Sequence, residues 1–503
     1  MTTDSSFYLV NAGNDCTMAS VSNDYSFPAL GVLALGTWLR QKMPDLEVTV
    51  RDGAVRSVEQ IVHEIQKQKP VLVGVSTLCT SYQNSLTIAR AAKDCGAQVV
   101  FGNDQASQTS RLILENQPTV DYVIGAEYGE LPLELLVRHI RGEEVALECI
   151  PSLTYRLNDS VVGFDFEKHK HLLSITSPFS GYRELLEARG IIAKRQNALD
   201  IFPIVDRTLY PSDHWEAYLR NYNARFAKLH ASPVTGVTTM NRARGCSRQD
   251  DDKCKHCDML LDISQSSPEL FWEEVRAAHA QVNATSFYEA CDSFSSFPHL
   301  IEKIVCAKPR NLGFDPEFYV YAQAIDLANH PERIDLLKEM GVFRINMGLE
   351  SMSNKTLKHM KGEKDSVDIN SRAIQLLKDK NINVYASFVL GSEAETSVTL
   401  HETVTGVCDL IKGGYLCDAE AQPVLPLYGN YQGRQLNEQG LMTIDPAHPD
   451  WPLNVEELSQ VYINTFSGVS HQDCVDAAKE IRRVAKEHRI NFGSGVSQEG
   501  SYA

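Results

Sequence analysis

Twice along this chain short β-rich runs alternate with helix-period stretches, and that rhythm constrains the fold more than any other feature. The first block carries runs at 7–10, 47–51, 71–76, 98–101 and 122–124, with helical patterns such as 58–68 and 82–95 between them. Strand, helix, strand at this spacing means βαβ units around a parallel sheet. Residues 1–145 therefore read as a five-stranded, doubly wound, Rossmann-like domain, whose ligand belongs beyond the C-terminal ends of its strands.

Residues 146–232 break the rhythm and read as a connector. Runs at 153–156 and 161–163 flank Asn158 and Asp159, a hairpin pattern, and Pro203, Pro211 and Pro233 punctuate an irregular remainder. The alternation then resumes, with strand runs at 234–240, 286–290, 318–323, 342–347, 383–390 and 418–424. Ser267 as N-cap and Pro268 at the first helical position open a helix whose Phe271, Val275, Ala278 and Val282 share one face. Six units in series predict a partial (β/α)6 barrel over 233–428, with its chemistry at the C-terminal mouth of the strands. Residues 429–503 form a C-terminal helical segment, in which the charged helix at 475–488 serves as a lid or flank.

A chain of 503 residues is too long for one hydrophobic core, so two or three domains are expected. Its net charge of −17, without a long Lys/Arg run, argues against nucleic acid or an anionic membrane as primary partner. The sequence lacks an apolar run of about 18 residues, and its first residues lack the pattern of a signal peptide. The expectation is a cytoplasmic protein acting on a small molecule or peptide. In a reducing compartment its 12 cysteines imply buried thiols plus a metal or redox site. Cys79, Cys95, Cys306 and Cys408 lie in apolar-periodic segments and are expected in the core.

The sharpest local signal is CSRQDDDKCKHC at 246–257, directly after the first strand of the second block. Thiolates from Cys246, Cys254 and Cys257 can occupy three irons of a four-iron cluster and leave the fourth open to a ligand. A structural zinc site is the alternative. It needs a fourth ligand, and His256 is poorly placed for that between two ligating cysteines.

The run MNRARGC at 240–246 resembles the strand-to-cluster junction of the radical S-adenosylmethionine superfamily. FYEACDSF at 287–294, RINMGLES at 344–351 and SFVLGSEAET at 387–396 resemble later barrel motifs of its cobalamin-binding branch, in the same order. FPALG at 27–31 and VIGAEYGE at 123–130 resemble that branch's N-terminal segments, so the likeness spans roughly residues 7–430. The resemblance implies a four-iron cluster on Cys246, Cys254 and Cys257, S-adenosylmethionine on its open iron, and a 5′-deoxyadenosyl radical that abstracts an unactivated hydrogen. It implies S-adenosylmethionine contacts from His256, Glu289, Asp292, Glu350, Ser351 and Ser387. Acceptor-only carboxylates suit ammonium and hydroxyl donors; the alternative role for each is to cap a helix. For cobalamin it implies the strand-end loops with Asn14, Asp15, Ser76, Thr77, Gly102, Asn103, Asp104, Gly125, Glu127 and Gly129, where Gly102 and Gly125 equally suit tight turns. An electron donor such as flavodoxin or ferredoxin is also implied.

Two departures stand out. The usual spacing is C-x3-C-x2-C, whereas seven residues, among them Asp250, Asp251 and Asp252, separate Cys246 from Cys254. The loop at 15–20 reads DCTMAS where methyl-transferring cobalamin proteins often supply a histidine to the cobalt, so none can come from there. The leading expectation is cobalamin-dependent radical methylation of an unactivated carbon or phosphorus centre. The alternatives are a radical cyclase, ring-contraction or oxidation enzyme without methyl transfer, and a non-catalytic cobalamin or iron–sulfur sensor.

Overall fold

The structure is a computed structural model that describes residues 6–14, 25–125, 128–158, 160–164, 197–248, 253–257, 263–442 and 454–492. Two seven-stranded sheets organise it. In the first, β1 (Ser6–Asn11), β2 (Glu47–Asp52), β3 (Leu72–Ser76), β4 (Gln98–Gly102) and β5 (Tyr122–Ile124) run parallel in the order 2-1-3-4-5. Near-continuous apolar strands such as LVGV in β3 are what a sheet covered on both faces requires. The chain reverses direction across the sheet between β1 and β3, so the crevice for a ligand opens at their C-terminal ends.

The hairpin expected in the connector forms as β6 (Leu153–Leu157) and β7 (Ser160–Gly163), and it extends this sheet from five strands to seven. β6 pairs antiparallel with β5, because Leu153 and Tyr155 bury on the face that continues the core. Local alternation announced the hairpin; its partner lay outside any local pattern.

The second sheet is parallel throughout. Its strands are β8 (Val237–Met240), β11 (Ser286–Glu289), β12 (Glu317–Tyr321), β13 (Val342–Glu350), β14 (Asn383–Leu390), β15 (Asp418–Pro423) and β16 (Asn491–Phe492). The short seventh strand, β16, adds to the six expected. Between the first two, β9 (Ala243–Arg244) and β10 (Ser264–Gln265) make a small antiparallel ladder. Alternation decides the two faces. On β14, Val384, Ala386, Phe388 and Leu390 enter the layer under the outer helices, while Tyr385 joins an aromatic cluster on the concave side.

The connector helix Ser212–Phe226 fills the concave face from the strand starts. Tyr222 hydroxyl meets Ser286 Oγ at 2.8 Å, and the Arg344 guanidinium stacks over Phe226 at 4.3 Å and Tyr319 at 4.4 Å. Higher up, Phe27 from the first domain stacks on Tyr319 at 5.8 Å, and Thr239 Oγ1 donates to the Pro28 carbonyl at 2.7 Å. The C-terminal helix His471–Glu487 is a flank: its Cys474, Ile481, Val484 and Ala485 complete the barrel's outer core. Cys408 is buried as expected, but Cys79 and Cys95 are half-buried and Cys306, at the end of its helix, is exposed.

Candidate active site at the mouth of the second sheet

β8 leads into a backbone junction held from below by two carboxylates. Glu289 Oε1, at the end of β11, accepts the N–H groups of Arg242 at 2.8 Å and Ala243 at 3.2 Å. Asp292 Oδ2 accepts that of Gly245 at 2.8 Å. Gly245 has φ +95°, a conformation suited to glycine, and so turns the chain into Cys246. Burial pushes the Glu289 carboxyl up to about 8, and its Oε2 has no partner. Burial also raises Asp292. Both residues thus hold the backbone junction 242–245 that leads into Cys246.

Burial raises the Cys246 and Cys254 thiols; Lys361 and Arg248 beside Cys254 draw it back down. Cys257 closes a turn onto Cys254, its N–H donating to that carbonyl at 3.0 Å. The turn is clamped on two sides. Lys255 N–H donates to the Met360 carbonyl at 2.9 Å, and Asn430 Nδ2 donates to the His256 carbonyl at 3.3 Å. Among the described residues no three His, Cys, Asp or Glu side chains are gathered at metal-holding distance. Asp250, Asp251 and Asp252 lie outside the described residues.

Glu350 is the strained member of the site. Its φ is +61°, and the register between β13 and β14 shifts from Gly348 to Glu350, a bulge that re-aims the side chain. The carboxylate folds toward Lys361 Nζ at 3.8 Å and His256 Nε2 at 3.5 Å. Burial lowers the His256 pKa, which favours the neutral ring, and its Nδ1 has no partner. Ser387 stands beside Gly348 and Glu420 in the strand register. Ser351 is fully buried, its Oγ paired with Thr403 Oγ1 at 2.8 Å and accepting the Ser353 N–H at 3.0 Å. The bulge that turns Glu350 toward His256 sends its neighbour into the helix layer.

At the crevice of the first sheet, Gly13 and Gly53 touch backbone to backbone. A Cβ on Gly13 would meet the Gly53 carbonyl oxygen at 2.2 Å, so both strand ends require glycine. Asn84 Nδ2 pins the Gly13 carbonyl at 2.8 Å, next to Asn14. Ser76 Oγ accepts from Asn103 Nδ2 at 3.0 Å, with Asn103 at φ +84°. Thr77 is fully buried and its Oγ1 donates back to the Val75 carbonyl at 3.4 Å. Around Gly102 a side chain would fit, with only Ile124 O at 3.8 Å, while Gly125 and Gly129 face Ser107 and Leu35 at 3.4 Å. Asp104 starts the helix Asp104–Gln108. Asp15 and Glu127, with the rest of the DCTMAS loop, lie outside the described residues.

Asp52 was missed by sequence reasoning. Fully buried at the end of β2, it accepts from Tyr218 at 2.6 Å, Tyr210 at 3.1 Å, Asn11 Nδ2 at 2.9 Å and the Ala29 N–H at 3.0 Å. Its one signal was an acid closing a strand before a glycine. A second junction brings the sheets mouth to mouth: the Arg244 guanidinium lies 4.8 Å over the Tyr128 ring, and Tyr128 hydroxyl meets Ser264 Oγ at 2.9 Å.

Residues 17–137 match the B12 binding domain family, and residues 240–404 match the Radical SAM superfamily. The chain is a cobalamin-binding radical S-adenosylmethionine enzyme. The fold agrees. The radical S-adenosylmethionine methyltransferase TsrM from Kitasatospora setae, solved with cobalamin and a four-iron cluster, superposes with a TM-score of 0.67 at 16% identity, covering 99% of this chain and 92% of that one. The cobalamin-dependent radical enzyme OxsB superposes at 0.58 with 16% identity, covering 99% and 63%. The anaerobic magnesium-protoporphyrin IX monomethyl ester cyclase of Rubrivivax gelatinosus is 22% identical over 358 residues, which are 69% of this chain. The match spans 56% of that cyclase.

As a member of this family, the enzyme takes cobalamin, S-adenosylmethionine and a four-iron cluster as cofactors. Its residues fit them. Cys254 lies beside the cations Lys361 and Arg248, and Cys246 beside Arg248, which offset the charge of thiolate ligands. Buried polar atoms are normally paired. Here His256 Nδ1, Glu289 Oε2, Ser392 Oγ and the Gln432 amide are buried without protein partners, on segments around or just after the C-terminal strand ends. No helix among the described residues is long and apolar enough to cross a membrane.

Proposed function

We propose that the enzyme is a cobalamin-dependent radical methyltransferase acting on an unactivated carbon or phosphorus centre of a small molecule or peptide. The observation that supports this reading is the Tyr128–Arg244 contact, which joins the loop after β5 of the first sheet to the junction before Cys246 in the second domain. A carrier placed there is within reach of a substrate in the barrel mouth.

In this reading Cys246, Cys254 and Cys257 hold the cluster, leaving one iron for S-adenosylmethionine. When bound, the cluster supplies one electron to the sulfonium and the corrin supplies a transferable methyl group. Glu350 accepts hydrogen bonds from the methionine ammonium or ribose, with its negative charge held in place by Lys361. Neutral His256 offers the unpaired Nδ1 to the adenine side, and Ser387 faces the same mouth. Glu289 and Asp292 keep the junction 242–245 fixed, so the first thiol stays at a set height above the barrel. Asn14, Ser76, Asn103, Gly125 and Gly129 border the corrin. A small one-electron carrier protein of the flavodoxin or ferredoxin type serves as reductant.

The cyclase relative favours a second reading, radical cyclisation or another rearrangement without methyl transfer. Product analysis with methyl-labelled S-adenosylmethionine separates the two. Methylation requires label in the product, with 5′-deoxyadenosine and S-adenosylhomocysteine formed in equal amounts. Deoxyadenosine with neither the homocysteine product nor label means cyclisation.

A further inference from the structure

Gln323 follows β12 and carries no sequence motif, yet it ends beside the first cysteine. Its side chain is almost fully buried. Nε2 lies 3.4 Å from Cys246 Sγ and 3.0 Å from Ser247 Oγ, with the hydroxyls of Ser293 and Ser296 at 3.3 and 3.2 Å. An amide can be flipped, but its other end decides the orientation here. Oε1 accepts from Arg248 Nε at 2.6 Å, and a guanidinium can only donate. The amino end must therefore face the sulfur.

Arg248 is itself locked. Nη1 donates to the Lys361 carbonyl at 2.8 Å, and Nη2 is paired with the buried carboxylate of Asp365. A polarised line thus runs from Asp365 through Arg248 and Gln323 to Cys246. Arg248 belongs to the segment between Cys246 and Cys254 that is longer than the family spacing, so part of that extra length anchors the first cysteine's surroundings to the end of the helix Asn354–Lys361.

We propose that Gln323, oriented by Arg248 and Asp365, is a positioning residue that donates a hydrogen bond to the Cys246 thiolate and raises the reduction potential of the cluster. The inference rests on Cys246 being a cluster ligand. A donor aimed at a ligating sulfur stabilises the more negative, reduced form. The contact eases delivery of the electron by the reductant and reduces the driving force for passing it to S-adenosylmethionine.

The test uses the full chain, reconstituted anaerobically, with iron and sulfide counted before an EPR-monitored redox titration without S-adenosylmethionine. Gln323→Leu should keep wild-type iron and shift the midpoint to lower potential. Gln323→Glu, which keeps the link to Arg248 but replaces the donor with a charge, should shift it further. Arg248→Ala removes a nearby cation as well as the orienting partner, so it should shift the midpoint in the same direction at least as far, and Gln323→Leu should shift it less on that background than in the wild type. An unchanged midpoint at full iron content overturns the proposal, as do additive shifts in the double variant. Iron lost equally from both Gln323 variants also overturns it, reducing the residue to loop packing. Wild-type protein that takes up no iron and sulfide refutes the cluster assignment instead, a separate result.

Discussion

Glu350 Oε1 occupies the space beside Gly348, 2.2 Å from where a Cβ on that glycine would stand. The pair is one device. The bulge turns the glutamate back over its own strand, and only a missing side chain two residues earlier leaves room for it. Gly348→Ala should therefore evict the carboxylate while leaving the cluster cysteines intact. Loss of charged hydrogen bonds of about 1.5–3 kcal/mol corresponds to roughly 10–100-fold weaker S-adenosylmethionine binding. Equilibrium dialysis on the reconstituted enzyme checks this, and Glu350→Gln should show the same loss at unchanged iron content.

Substitution of Cys246, Cys254 or Cys257 by Ala should each strip the cluster, read as iron and sulfide after anaerobic reconstitution. Cys291, fully buried next to the site with its Sγ 3.7 Å from the Gly245 carbonyl, should tolerate Ala without loss of iron. Zinc without sulfide in the wild type would refute the assignment.

The buried Glu289 predicts a pH dependence with a definite sign. Its folded pKa, near 8, lies above the ordinary 4.5, so the folded state binds the extra proton between those values. Stability falls as pH rises through that window, by at most about 1.4 kcal/mol per pH unit, and the penalty is absent below it. Glu289→Gln keeps the acceptor for Arg242 and Ala243 and removes the titration. Its melting temperature relative to wild type should rise between pH 5 and 8 in cluster-free protein.

A buried ion triad welds connector to barrel. Glu274 pairs with Arg207 at 2.6 Å and Arg242 at 2.5 Å, all three almost fully buried, and the two cations hold its carboxyl low against the cost of burial. Glu274→Ala leaves two guanidinium groups uncompensated and should cost about 3–5 kcal/mol, measured by urea unfolding.

Much of the fold was legible because hydrophobic period and spacing are local signals. All five parallel strands of the first sheet and six of the second overlap the runs expected for them, although β15, DAEAQP, holds no β-branched or aromatic residue. What was illegible depends on partners far along the chain. Asp52 needs Tyr218, 166 residues away, and Gln323 needs Arg248, 75 residues away. Side-chain direction was the other gap. Ser351 and Thr77 sit in motif positions, but a bulge at one and a strand end at the other turn their hydroxyls inward. Glu289 and Asp292 accept backbone N–H groups 46 or 47 residues away, partners that no local pattern announces.

The second sheet is open between β8 and β16, and the connector helix bridges that seam: Asn491 Nδ2 donates to the Arg225 carbonyl at 3.1 Å, across 266 residues of sequence. Lys228 Nζ reaches the Arg489 carbonyl at 2.5 Å across 261. Contacts of such separation carry the largest loop-closure entropy and form late. During synthesis the first domain can begin to fold as soon as it leaves the ribosome, but the barrel waits, its connector helix exposed on one side, until Asn491 has been made. Residues 489–492 thus act as a checkpoint on maturation: a nascent chain truncated before them holds the B12 binding domain and Cys246, Cys254 and Cys257, with an unfinished wall behind them.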